Sequence, residues 1–199
     1  DTWGSLMNEH PTIKEQFQNA TPTMQLFRTG RMQRCASSMV GDNWAMLPHS
    51  AYFLDPLHSA GIAHTLCGIE QLMPILKKSE AGRHEALRGY QANMCSEIDL
   101  LDKVIHGCYL CFDKFELFSQ YAMLYFAGAD FTERRRREGR TMGFLNCGDQ
   151  AFCKMVDLFY REMVDGFIDA SSIASAIEPW NLAGLCDPTK QNMYDYAQL

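Results

Sequence analysis

Trp44-Ala45-Met46-Leu47-Pro48-His49-Ser50-Ala51-Tyr52-Phe53-Leu54-Asp55-Pro56-Leu57-His58-Ser59-Ala60-Gly61-Ile62 is the stretch on which the chain changes character. Upstream, from Thr23 to Phe53, the residues follow no helical period; downstream, from Leu57 onward, they do. Within the stretch a strand ends, Asp55-Pro56 turns the chain, and a helix opens on the small residues Ser59, Ala60, Gly61 and Ala63. The N–H groups of a first helical turn lack acceptors inside the helix and carry the positive end of its dipole. With little side-chain bulk around them, they suit an anion or an electron-rich carbonyl approaching from outside. The same junction also reads as a purely structural link between a strand and a helix.

Downstream, Ile62, Leu66, Ile69 and Met73 form one apolar stripe, and Pro74 should kink or end their helix. A second long helix carries Met94, Ile98, Leu101, Ile105, Cys108 and Phe112 at steps of four and three. Phe115 to Phe126 is apolar on nearly all sides, the mark of a buried helix. A further amphipathic helix runs through Phe152, Val156, Phe159, Met163 and Phe167, with Asp149 placed to cap it. The tail after Pro179 should wrap the surface irregularly. Upstream, Pro11 opens a short helix to about Ala20, with Ile13 and Phe17 on one face. Short strands are expected at Met24–Phe27, Arg31–Ala36 and Trp44–Leu47, with turns at Gly30 and Gly41-Asp42-Asn43. So small a ribbon is marginal alone, which points to partner strands before residue 1. The expected fold is mainly α: residues 1–56 supply remnant strands and a connector, and residues 57–199 a helical C-terminal domain.

Composition narrows the function. A formal net charge of −6 opposes general nucleic-acid binding, which needs clustered Lys and Arg. No apolar run approaches the roughly 20 residues of a membrane span, and the N-terminus lacks the pattern of a signal peptide. Opening at Asp1-Thr2-Trp3, the chain reads as a piece of a longer protein. The eight cysteines are scattered among apolar neighbours, which fits free thiols in a reducing cytoplasm better than a disulfide framework. Cys108-Tyr109-Leu110-Cys111 beside His106 lacks a second ligand pair of matching spacing, so core packing is preferred and no metal is expected. The run from Glu133 to Glu138 reads as a solvated helix end.

The run Phe53-Leu54-Asp55-Pro56-Leu57-His58-Ser59-Ala60-Gly61-Ile62 resembles the F-x-D/E-P-L-x-S-x-G segment of flavin-dependent halogenases and related monooxygenase-fold enzymes. Arg31-Met32-Gln33-Arg34 and Gly41-Asp42-Asn43-Trp44 resemble the strand and hairpin leading into that segment. Tyr90, Glu97-Ile98-Asp99 and Met123-Leu124-Tyr125-Phe126 extend the similarity downstream. The resemblance implies a fragment of a larger FAD-binding α/β monooxygenase-type fold, in which the Asp-Pro loop and helix start lie against the isoalloxazine ring. Asp55, Pro56, Leu57, Ser59, Ala60 and Gly61 would then line the flavin, with His58 as the candidate general acid or base.

Several departures bear on halogenation. Pro48-His49 stands where many of these enzymes have Gly-Asp, His58 where tryptophan halogenases have a catalytic Glu, and Ala60 where their halide site has a threonine. The Gly-rich dinucleotide fingerprint and the Trp-x-Trp-x-x-Pro segment are absent, so this chain supplies no pyrophosphate cradle. FAD is therefore expected in the parent protein and not on this chain alone. The expected partners are an N-terminal FAD-binding half, a small-molecule substrate of unknown identity, and a second copy joined through exposed strands. The alternative is a free-standing α-helical binding module without catalysis.

Overall fold

The computed structural model describes residues 2–25, 27, 29–30, 32–140 and 143–185 and is mainly α-helical. Two compact units divide the chain between Met32 and Gln33. In the first, helix α1 (Thr2–Glu9), absent from the sequence reading, meets α2 (Pro11–Phe17). Pro11 begins α2 at a position where its missing N–H costs nothing. The rings of Trp3 and Phe17 meet edge to face at 5.5 Å. Helix α2 stops at Phe17, three residues short of the expected end at Ala20.

The second unit begins with a minimal ribbon. Strand β1 (Arg34–Cys35) pairs antiparallel with β2 (Tyr52–Phe53), Arg34 opposite Phe53 and Cys35 opposite Tyr52. Between them Val40 bridges Ala45, and helix α3 (Pro48–Ala51) makes a single turn. The three expected strands thus shrink. Only Arg34–Cys35 survives from Arg31–Ala36, Trp44–Leu47 contributes one bridge, and Met24, Gln25 and Phe27 form no strand. Leu26 and Arg31 lie outside the described residues. Residues 33–56 pack with the helices that follow.

Those helices are α4 (Ala60–Leu76), α5 (Glu80–Leu110), α6 (Phe115–Arg137), α7 (Gln150–Asp165) and α8 (Ala170–Ala176). Helix α5 is central, packing against α4, α6 and α7. Its Met94, Ile98, Leu101, Ile105 and Cys108 are buried as their spacing predicts; Phe112 lies past the helix end and is exposed. On α7, Phe152, Val156, Phe159 and Met163 face inward, and the helix closes at a left-handed Gly166, which leaves Phe167 in solvent. The Asp149 side chain caps α7, accepting from the N–H groups of Ala151 (2.9 Å) and Phe152 (3.2 Å). Beyond Pro179, Trp180 is buried and its indole N–H donates to Asp149 at 2.8 Å, so this part of the tail docks; residues 186–199 lie outside the described residues.

Helix α4 departs most from the sequence reading. Its apolar stripe exists but faces outward: Ile62 is 79% exposed, and Leu66, Ile69, Met73 and Leu76 are exposed too. The buried face carries Ala60, His64, Cys67 and Gly68 instead. Backbone proximity explains the inversion. A Cβ on Gly68 would stand 2.4 Å from Pro48 Cδ and 3.2 Å from Tyr90 Oη, so only glycine lets α3 and α5 close on α4 here. Pro74 sits in the last turn of α4, where the helix is already ending, and the helix runs two residues past it.

Candidate functional site

The turn before α4 is built from Asp55. Its Oδ1 accepts the N–H of Leu57 at 2.8 Å and its Oδ2 accepts the Tyr109 hydroxyl at 2.9 Å. The chain then passes through two consecutive left-handed residues, His58 (φ 64°) and Ser59 (φ 52°), before the helix starts. Non-glycine residues seldom take this conformation, and two in succession need outside support. His58 provides it: its ring stacks on Tyr125 at 4.5 Å, meets Phe126 edge-on at 5.7 Å, and brings Nε2 to 3.6 Å from Cys108 Sγ. Burial lowers the His58 pKa, with Asp55 pulling the other way.

The seven sequence-selected residues divide by exposure. Pro56 and Ser59 are exposed, Asp55, Leu57, His58 and Gly61 are half-buried, and Ala60 is buried. Gly61 does not leave open space for a ligand, because its missing Cβ would lie 2.8 Å from His49 Nδ1. The N-cap position of α4 is Ser59, whose side chain caps nothing. The turn is collared by exposed aromatics: Tyr109, bonded to Asp55; Phe112, stacked on Tyr109 at 5.8 Å; and Phe126, against His58. Single exposed apolar residues are ordinary, but a cluster adjoining an apolar helix face marks a surface built for contact.

A buried polar chain lies deeper. The Tyr52 hydroxyl meets His64 Nδ1 at 2.5 Å, and His64 Nε2 meets Glu97 Oε2 at 2.7 Å. Glu97 Oε1 accepts from Phe144 N–H (2.7 Å) and Gln71 (3.0 Å). The ring of His64 stacks on Phe144 at 4.3 Å. Burial would raise the Glu97 pKa, but the hydrogen bonds from His64, Phe144 and Gln71 outweigh it and hold the carboxyl below its usual range. As an ionised Glu97 can only accept, His64 Nε2 carries the proton of that bond. Sequence reasoning missed this chain: its members lie 12 and 33 residues apart, and His64 reads as one polar residue on a helix.

Glu97 also lines a cavity of about 600 Å³ beside the C-terminal half of α4, with Cys67, Glu70, Gln71, Arg136 and Cys147. Arg136, from the run read as solvated, pairs with Glu70 and donates to Cys67 Sγ at 3.0 Å. Burial pushes the thiols of Cys108 and Cys111 up to about 12 and about 11. Among the described residues, no group of three His, Cys, Asp or Glu side chains is placed to hold a metal. No described helix is long and apolar enough to cross a membrane.

No protein-family model matches the chain. It is 29% identical over 188 residues to the monodechloroaminopyrrolnitrin halogenase PrnC of Pseudomonas fluorescens, covering 85% of this chain and 33% of that protein. It is 24% identical over 159 residues to the tetracycline 7-halogenase of Kitasatospora aureofaciens, covering 77% of this chain and 28% of that one. The chain thus spans about a third of the length of the curated relatives it matches. The fold matches the crystal structure of halogenase PltM with a TM-score of 0.69 at 19% identity, over 90% of this chain and 42% of that one. It also matches PltM in complex with phloroglucinol and FAD, with the same TM-score at 18% identity. In sequence and in fold, this chain is halogenase-like.

Proposed function

We propose that the chain is the C-terminal portion of an FAD-dependent, halogenase-like oxidoreductase, in which the Asp55–Gly61 turn and the start of α4 form one wall of the flavin site. The observation that carries this reading is the uncapped start of α4, a 17-residue helix presented at an exposed turn held in a costly left-handed conformation. The residues fit one edge of a flavin and no more. First-turn N–H groups and the exposed Pro56 and Ser59 suit a flat, electron-rich ring, whereas Gly61 is covered by His49 and Ala60 is buried. FAD would supply the redox chemistry, and the turn would position it.

Asp55, Pro56, Leu57, Ser59, Ala60 and Gly61 thus make up the proposed flavin-facing segment, Ala60 and Gly61 through their backbone. For His58 the geometry favours anchoring the turn over proton transfer, since its ring stacks inward and its Nε2 is directed at Cys108. The apolar face of α4, which starts at this turn, fits the FAD-binding portion as its partner. A second copy joined through strands has less support, because β1 and β2 are two residues each. The substrate is a small molecule, and the compartment the cytoplasm.

The test compares this chain with the complete natural protein that contains it. The complete protein should purify yellow, and this chain should lose FAD on gel filtration. Ser59→Tyr in the complete protein should displace flavin while leaving far-UV circular dichroism intact. A complete protein that neither binds FAD nor carries a Gly-x-Gly-x-x-Gly segment would overturn the reading in favour of a helical binding module.

A further inference from the structure

We propose that Cys147 and Cys153 form a redox-active dithiol that hydrogen peroxide closes into an internal disulfide. Cys147 follows the buried turn Phe144–Asn146, and Cys153 lies in the opening turns of α7. The Cys153 thiol donates to the carbonyl oxygen of Cys147 at 3.3 Å, which sets the two cysteines side by side. Both are half-buried, and Cys147 lines the 600 Å³ cavity with Gly143 and Gly148, which gives a small oxidant a way to that thiol.

The other described cysteines are placed differently. Cys67, Cys108 and Cys111 are buried with their thiols pushed up by burial. Cys35 and Cys95 are exposed. Cys153 is shifted the other way: its contact with Cys147 lowers its pKa, against the opposing effect of burial.

The chemistry balances. One of the two, as its thiolate, attacks one oxygen of hydrogen peroxide; an S–O bond forms, the O–O bond breaks, and the departing hydroxide takes a proton and leaves as water. The other cysteine then attacks the sulfenic sulfur; the S–S bond forms, the S–O bond breaks, and the thiol proton leaves with the hydroxide as a second water. Two thiols lose two electrons and the peroxide gains them. The product ties the turn that carries Phe144, a partner of Glu97 and His64, to the first turns of α7. Oxygen-using flavoenzymes release peroxide as a by-product; only this source of oxidant rests on the function proposed above.

The experiment treats the full chain with hydrogen peroxide, alkylates the free thiols, and cleaves after Lys and Arg. The peptide between Arg140 and Lys154 contains both cysteines and no other. We expect it to lose both alkylations, to become lighter by two hydrogens, and to recover with dithiothreitol. Further cleavage after Phe152 should leave two pieces joined by the disulfide. Cys147→Ser or Cys153→Ser should instead leave the remaining cysteine of the pair as a sulfenic acid that dimedone traps. Three results would overturn the proposal: a peptide still fully alkylated, a sulfinic acid on either cysteine without a disulfide, or a bond from either to another cysteine. The wild-type readout does not depend on any variant folding. Its failure leaves the flavin reading standing, and a colourless complete protein leaves the dithiol standing.

Discussion

Two turns in this molecule share one backbone and differ in their surroundings. His58-Ser59 leads into α4, and Leu145-Asn146 precedes α7; each is a pair of consecutive left-handed residues that are not glycine. Leu145 and Asn146 are buried, Glu97 holds the N–H of Phe144 beside them, and Asp149 caps the helix that follows. At the other turn Ser59 is exposed, and α4 starts without a side-chain cap. One helix start is capped by a side chain of the chain; the other is not. The contrast separates a buried turn from a partly exposed one where the dihedral angles alone do not.

The comparison breaks most sharply on glycine. Leu145→Gly relieves the left-handed backbone but empties a buried site, and it should cost about 3 kcal/mol in urea unfolding. Ser59→Gly relieves the same strain with no side chain to lose, and a gain of up to ~1 kcal/mol is expected. Equal effects at the two positions would remove the distinction. Glu97→Gln weakens the acceptor shared by His64, Phe144 and Gln71 and should destabilise by about 2–3 kcal/mol, read from the denaturant midpoint.

Capping gives a smaller contrast. Asp149→Ala should cost about 1–2 kcal/mol, because α7 loses its cap and Trp180 its acceptor. Ser59→Ala should change stability by less than about 0.5 kcal/mol, since that side chain caps nothing. A cost at Ser59 matching that at Asp149 would show that α4 is capped after all.

Acid should separate the two turns by their anchors. His58 and Glu97 have folded pKa values below the ordinary 6.5 and 4.5, so the unfolded chain binds protons the folded one does not. Each contribution is complete above its unfolded pKa and is lost as pH falls through the folded one. Stability should therefore begin to decline below pH 6.5 through His58 and steepen below 4.5 through Glu97. His58→Phe should flatten the upper limb and Glu97→Gln the lower; a midpoint that climbs on acidification would contradict both assignments.

The helices after residue 57 were legible in sequence because their periodicity reports one side of a helix against a large core, and Asp149 announces its cap by type and position. The strands were less legible, since a two-residue pairing such as Arg34–Cys35 with Tyr52–Phe53 leaves no alternation to read. The apolar stripe of α4 misled for a different reason. Periodicity identifies a contact face without naming the partner, and the face with Gly68 and His64 is the one this chain fills. At the site, the Asp55-Pro56 turn and the small residues were visible. The inward stacking of His58, and His49 over Gly61, depend on side chains that meet only in three dimensions.

Gly68 has a consequence for the history of such chains. The atom facing its absent Cβ belongs to the rigid, buried ring of Pro48, whereas the atom facing Gly61 is at the tip of an exposed imidazole that can swing aside. Divergence should therefore treat the two glycines unequally. A lineage can acquire alanine at 61 and let position 49 adjust afterwards. A change at 68 is viable only alongside a change at 48, so those two positions should drift as a linked pair or not at all.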